Sequence, residues 1–350
     1  MKPLKTILFI FVVISFSCHN KYNQPENINT NYLVTSTSQL NTEAYSLNID
    51  KFYNSGKEGK FIGKSGIRIY YKTFRNSTGN NNAIMISSGR GESIIKYKEL
   101  IFDLYNNGYS VYIHDHRGQG LSERILQNPL MGHIDTFQYF VDDMKYFYDN
   151  EVKTSGHDHI FLLAHSMGGT IGCTYIEQYP QDFSAAAFSS PMLGLKTGIC
   201  FGSKILTGET VKYAPGIEEA TQETFAFEGN TQTSSKIRYN RMTQAFTDNP
   251  KAKLAGPTIQ WINRCCQQFD VIFNNITNIE TPMTIFIAEN EQIVNPNACK
   301  AFTKNAKAAN KTCTLFFIKN AQHELLMEKD TPRQTTLVQT LSFFEYFTNQ

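Results

Sequence analysis

The 350-residue sequence predicts an α/β fold with a mostly parallel central sheet, helices on both faces and an inserted helical cap. Three observations lead there. Short apolar runs alternate with helical patterns from Ala83 to Phe188, and again from Met283 to Phe347; on that spacing the strands run parallel under helices on both faces. Residues 194–281 break the rhythm with Gly, Thr, aromatic residues and only short helical stretches, as an insertion would. Ile160–Pro180 reads as strand, sharp turn and helix, with a serine at the turn. Hydrophobic content of 41% suffices for a sizeable core. A net charge of +2 with scattered basic residues gives no electrostatic footprint for nucleic acid.

At the start, Met1–Cys18 has Lys2 and Lys5 ahead of the apolar stretch Ile7–Phe16, which is well short of the ~20 residues a spanning helix needs. Ser15, Ser17 and Cys18 make a small-residue exit, so residues 1–18 read as a signal peptide or a lipoprotein signal. Residues 19–50, rich in Asn, Ser and Thr, read as a flexible tether. The first part of the core then covers 51–193, the cap 194–281 and the second part of the core 282–350.

Within the core, Phe61–Gly63 and Ile67–Tyr71 flank Lys64-Ser65-Gly66 as strand, turn and strand. Ala83–Ser87 is the first buried strand, leading into Ser88-Gly89-Arg90-Gly91-Glu92. A helix over Tyr97–Tyr105 stops at Asn107-Gly108, and the strand Tyr109–Ile113 feeds the loop Asp115–Ser122. A helix at Phe137–Tyr148 precedes the strand Ile160–Ala164, and Ala185–Phe188 is the next strand. Ser235–Phe246 and Thr258–Gln268 are helical stretches of the cap. Met283–Ala288 (strand), Ala298–Ala309 (helix), Cys313–Ile318 (strand) and the amphipathic helix Thr335–Phe347 close the chain.

Ala164-His165-Ser166-Met167-Gly168 has the form of a nucleophile elbow, with Ala164 where glycine is commoner. The turn strains the backbone so that the Ser166 hydroxyl projects from the sheet edge, which marks it as the nucleophile. A serine hydroxyl needs a base. His19, His114, His116, His133, His157 and His159 fall in the tether or in loops, and the elbow turn directs His165 away. His323, in the loop between the last strand and the last helix, is the base. Its acid partner comes from Glu289-Asn290-Glu291 after Met283–Ala288; Glu291 is favoured, with Ile293-Val294 behind it, and Glu289 is the rival. The amide of Met167 starts a helix and the amide of Arg90 follows the first buried strand, so these two donors form the oxyanion hole.

Neither C-x-x-C nor H-E-x-x-H occurs, so no catalytic metal and no cofactor is expected. Without Cys18, six cysteines remain, which permits disulfides in an exported chain without fixing their pairing. Cys173 reads as core, and simple packing accounts for the vicinal pair Cys265-Cys266.

Ser88–Glu92, Asp115–Gly120, His165–Gly169 and Gln322–Glu324 together resemble the monoglyceride-lipase-like (serine aminopeptidase-type) α/β-hydrolases. Asn320–Asp330 and Ala255–Trp261 resemble, within that family, the bacterial inner-membrane lysophospholipases. The resemblance spans about residues 60–349. It implies an α/β-hydrolase fold and ester hydrolysis through Ser166, His323 and Glu291, where monoglyceride lipases carry Asp. Ser88 replaces the histidine usual before the oxyanion glycine, and the N-terminal signal is a further departure. The implied substrate is a lysophospholipid, with monoacylglycerol the close alternative, the partner surface a membrane and the location a bacterial cell envelope. Cap aromatics Phe225, Phe227, Tyr239, Phe246, Trp261, Phe269 and Phe273 read mostly as cap core, with some lining an acyl-chain site. A serine aminopeptidase would instead use Glu218, Glu219, Glu223 or Glu228 to bind an α-amine, and a non-catalytic binding module would not need the triad in order.

Overall fold

The computed structural model describes residues 31–205, 211–215 and 226–349. Its frame is one sheet of β1 (Lys57–Ile62), β2 (Arg68–Phe74), β3 (Ala83–Ser87), β4 (Ser110–His114), β5 (Ile160–His165), β6 (Ala185–Ser189), β7 (Met283–Ala288) and β8 (Cys313–Ile318). The spatial order is β1-β2-β4-β3-β5-β6-β7-β8. β1 and β2 pair antiparallel, as do β2 and β4, and every later pairing is parallel. β3 to β7 are covered on both faces, which is why they read as unbroken apolar runs rather than alternating ones. Edge strand β8 is only partly covered and leaves Phe317 exposed.

The helices are α1 (Thr37–Leu40), α2 (Glu43–Ser55), α3 (Lys98–Asn106), α4 (Gln138–Phe147), α5 (Met167–Gln178), α6 (Ile199–Ile205), α7 (Lys236–Asp248), α8 (Ile259–Asn274), α9 (Pro296–Ala308) and α10 (Asp330–Tyr346). Adjacent residues of one strand serve opposite faces. Ile84 and Ile86 pack with Leu100 and Leu104 of α3 and Leu337 and Phe344 of α10. Met85 packs on the other side with Met144 of α4, Ile171 of α5 and Phe302 of α9. Local signals set several boundaries: Thr258 caps α8 through the Trp261 amide, and Asn295 caps α9 ahead of Pro296. α10 starts at Asp330, five residues before the expected start, and is buried on most of its surface rather than along one stripe. α6, α7 and α8 fall between β6 and β7.

Residues 31–50 correct one expectation: they are a packed strap, not a flexible tether. Ser36 and Gln39 form a capping box, and Leu40 and Ile49 are buried against Phe102. Asp103 accepts from the Thr35 amide and hydroxyl at 3.1 and 2.5 Å, and Asp330 accepts from Thr37. The Ser and Thr residues that made the segment look like linker are caps and connectors here. Residues 1–30, including the expected signal and Cys18, lie outside the described residues.

Candidate active site

Ser166 stands between β5 and α5 with φ 52° and ψ −119°, a left-handed conformation that costs a non-glycine residue on the order of 1–3 kcal/mol. Neighbours hold it there: its amide donates to the Ser189 carbonyl at 3.1 Å, and its carbonyl accepts from the amides of Gly169 and Met192. Gly168 must lack a side chain, because a Cβ would stand 2.1 Å from the Ser87 carbonyl oxygen. Gly172 of α5 lets the helix approach the strands closely; a Cβ there would stand 3.0 Å from Leu162 and 3.1 Å from Phe188, with the Ala164 methyl at 3.4 Å.

The structure brings Ser166, His323 and Glu291 together. His323 Nε2 lies 3.0 Å from Ser166 Oγ, and His323 Nδ1 lies 2.8 Å from Glu291 Oε2. The second Glu291 oxygen accepts from the Ile293 and Val294 amides at 2.7 and 3.1 Å. Burial alone would raise the Glu291 carboxyl, but His323 and these amides hold it below the usual carboxylate range. It is therefore ionised against the imidazole. Glu289 turns away, its carboxylate accepting from the Asn320 amide on the surface.

The oxyanion loop Ser88–Glu92 is held from the β4 loop. Gln119 Oε1 accepts from the Gly91 amide while its Nε2 donates to the carbonyls of Gly89 and Glu92. Asp115 accepts from Ser93 Oγ, the Ile94 amide and the Leu121 amide at 2.7–2.8 Å. Burial pushes its carboxyl up to about 6. The Ser88 carbonyl accepts from His116 Nε2, and the elbow helix packs on the same loop through Gly168. The amides of Arg90 and Met167 donate to no acceptor among the described residues, as an oxyanion hole requires.

Directly behind His323 lies a buried ionic cluster. The Lys96 ammonium donates to Glu92 and, at 2.6 Å, to Glu324 Oε1. His165 Nε2 is 3.2 Å from Glu324 Oε2, and its ring centroid is 4.9 Å from that of His323. Burial would lower the His165 pKa; the carboxylates of Glu324 and Glu92 outweigh it and raise the value. Glu92 also accepts from Tyr97 Oη and the Gly89 amide. Glu92, His165 and Glu324 converge closely enough to hold a metal ion, but the cation bound to both carboxylates is Lys96.

The vicinal cysteines require a correction. Cys266 of α8 is bonded to Cys200 of α6, with a Cα–Cα distance of 5.6 Å, and only Cys265 is a packed thiol. Tyr239, Phe246, Trp261 and Phe269 are buried core of the cap. Glu228 is exposed and pairs with Lys236 at 3.4 Å. Phe225, Glu218, Glu219 and Glu223 lie outside the described residues. Sequence reasoning gave no role to Asp115, Gln119, Glu92, Lys96 or Glu324. The Asp115–Gly120 motif and the acid beside His323 are the available signals, but Ser93 is 22 residues from Asp115 and Lys96 is 228 from Glu324.

Sheet order and elbow geometry define the class: this is an α/β-hydrolase. Residues 79–330 match the family described as "Serine aminopeptidase, S33", and the chain belongs to it. It is 31% identical to Lysophospholipase L2 of Escherichia coli over 304 residues, covering 84% of this chain and 88% of the relative. It is 32% identical to Probable lysophospholipase L2 of Haemophilus influenzae, covering 79% and 88%. A monoglyceride lipase of Saccharomyces cerevisiae shares the fold, with a TM-score of 0.63, 17% identity and coverage of 83% and 96%. Family and relatives make the chain a hydrolase.

Proposed function

We propose that this chain hydrolyses the remaining acyl ester of a lysophospholipid, releasing a fatty acid and the glycerophospho headgroup. Ser166 Oγ attacks the ester carbonyl while His323 Nε2 takes its proton, and Glu291 stabilises the imidazolium and fixes its tautomer. The amides of Met167 and Arg90 hold the oxyanion. The His323 proton then passes to the departing glycerol oxygen. Water, activated by the same histidine, releases the acid from Ser166. The hydrogen-bonded Ser166–His323–Glu291 chain carries the reading of the chemistry. Similarity to Lysophospholipase L2 along most of both chains supports the substrate class. Monoacylglycerol is the second reading, supported by a Monoacylglycerol lipase of Mycolicibacterium smegmatis that is 30% identical over 166 residues.

Action at a membrane surface of the cell envelope belongs to the same proposal, through export directed by Met1–Cys18. No helix among the described residues is long and apolar enough to cross a membrane. The test is a panel on the full chain in mild detergent: a lysophosphatidyl lipid, a monoacylglycerol of the same acyl chain, a short nitrophenyl ester and an aminoacyl arylamide. The highest kcat/KM is expected on the lysophosphatidyl lipid. Cleavage of the arylamide alone would replace the proposal with a peptidase.

A further inference from the structure

Among the described residues the fully buried cations are bonded to acids, and half-buried Arg124 is satisfied by five carbonyls, whereas half-buried Arg90 has neither arrangement. Lys96 is bonded to Glu92 and Glu324, Arg117 to Asp143, Arg238 to Glu99 and Asp330, and Arg333 to Asp103. Arg90 pairs with no carboxylate among the described residues. One of its terminal nitrogens, Nη2, donates to the Ala255 carbonyl, and the guanidinium lies over the Trp261 ring, 5.4 Å from its centroid. Nε is shut off from water, and neither Nε nor Nη1 has an acceptor among the described residues. The Cys265 thiol beside the guanidinium is pushed up by burial and so carries no charge to balance it. Burial brings the Arg90 pKa down to about 10, so the group is still a cation at neutral pH.

An unsatisfied guanidinium in such a setting costs stability, and an apolar side chain would pack against Trp261 without that cost. Its position gives the charge a use. The same residue offers its backbone amide to the oxyanion, so the guanidinium lies one arginine side chain from the scissile carbonyl. In a monoacyl glycerophospholipid the phosphate lies one glycerol unit from that carbonyl, a comparable reach. A charge-assisted bond from the free Nη1 suits an oxygen of a phosphodiester.

We propose that Arg90 is the headgroup receptor of this site, its Nη1 donating to a phosphodiester oxygen of a monoacyl glycerophospholipid while its amide holds the oxyanion of the same molecule. This rests on the lysophospholipase reading and deepens it: the residue that stabilises the reacting ester also selects for a phosphate-bearing leaving group. Neutral monoacylglycerol leaves the cation unpaired and loses that selection.

The test is the ratio of kcat/KM on a lysophosphatidyl lipid to kcat/KM on the monoacylglycerol with the same acyl chain. Arg90→Met is expected to lower this ratio at least tenfold, and Arg90→Lys to lower it less, consistent with one charge-assisted bond of about 1.4 kcal/mol or more. A ratio unchanged within twofold in Arg90→Met overturns the proposal. An independent arm uses the unaltered protein and the neutral nitrophenyl ester. Glycerophosphoethanolamine is expected to inhibit competitively, and glycerol at the same concentration not to. Equal effects of the two overturn the proposal even if Arg90→Met does not fold. Inhibition by inorganic phosphate but not by the phosphodiester would assign Arg90 to free phosphate and overturn the headgroup role. If the lysolipid is not cleaved at all, the function reading fails, while the inhibition arm still decides whether Arg90 binds a phosphodiester.

Discussion

The molecule contains two clusters of buried charge, and they differ in what is left unsatisfied. In the strap cluster, Arg238 and Arg333 are fully buried and donate to Glu99, Asp103, Asp330 and the carbonyls of Thr35, Leu326 and Glu328. Those contacts tie the N-terminal strap to α3, α7 and α10, and both guanidinium groups are bonded to acids and carbonyls alike. At the active site, Lys96 is bonded to both Glu92 and Glu324, but in front of them stand groups with open valences. The amides of Arg90 and Met167, and two nitrogens of the Arg90 guanidinium, have no acceptor among the described residues. The same chemistry thus serves two ends. Complete satisfaction fastens chain to chain, and the groups left open beside Ser166 are the ones proposed to meet substrate.

Breaking each cluster should therefore give different phenotypes. The largest effect is expected from Ser166→Ala: kcat on the preferred ester falls by on the order of 10⁴–10⁶ with an unchanged circular dichroism spectrum and melting curve. Retention of most of the activity would remove the elbow from the mechanism. Glu291→Gln should lower kcat by about 10²–10⁴, because the imidazolium loses its counter-charge, whereas Glu289→Gln stays within about twofold. Equal losses in the two variants would contradict the pairing of Glu291 with His323.

In the strap cluster the sign reverses. Arg333→Met leaves buried Asp103 unpaired and is expected to destabilise the fold by about 3–5 kcal/mol, read as a lower denaturant midpoint. Its kcat at 20 °C should remain within about twofold of wild type. A large kcat loss without destabilisation would make the strap part of the catalytic apparatus.

Smaller effects sharpen the contrast at a single buried acid. Glu177 on α5 has an unpartnered oxygen, and burial pushes its pKa up to about 8 from an ordinary 4.5. Between those values the folded chain binds a proton that the unfolded chain has lost, so this group's contribution to stability falls as pH rises. Glu177→Gln is expected to stabilise by roughly 1–3 kcal/mol at pH 8.5 and by nothing measurable near pH 4. A gain that is the same at both pH values would exclude titration as its cause. The smallest effect is none: EDTA should leave activity unchanged, because Lys96 is the cation held between Glu92 and Glu324. Clear loss in chelator would require a metal.

What could be read from the sequence was what chemistry makes local. The elbow, the strand positions and the loop carrying His323 follow from patterns within a few residues of one another. The acid was narrowed to two glutamates two residues apart, and only the geometry separates them: Glu291 meets His323, and Glu289 meets the Asn320 amide. The strap was misread because Thr35 and Thr37 are polar residues whose partners are Asp103 and Asp330, 68 and 293 residues away. The Cys200–Cys266 bond was likewise invisible, since it depends on how α6 lies on α8.

The most direct test of the central claim is to quench turnover of the lysophosphatidyl lipid with acid and map the acyl group by peptide mass spectrometry. The account predicts the fatty acyl mass on the peptide containing Ser166, a slower decay of that adduct in Glu291→Gln, and its absence in Ser166→Ala. Fatty acid release continuing in Ser166→Ala, or an acyl group carried on another residue, would contradict it.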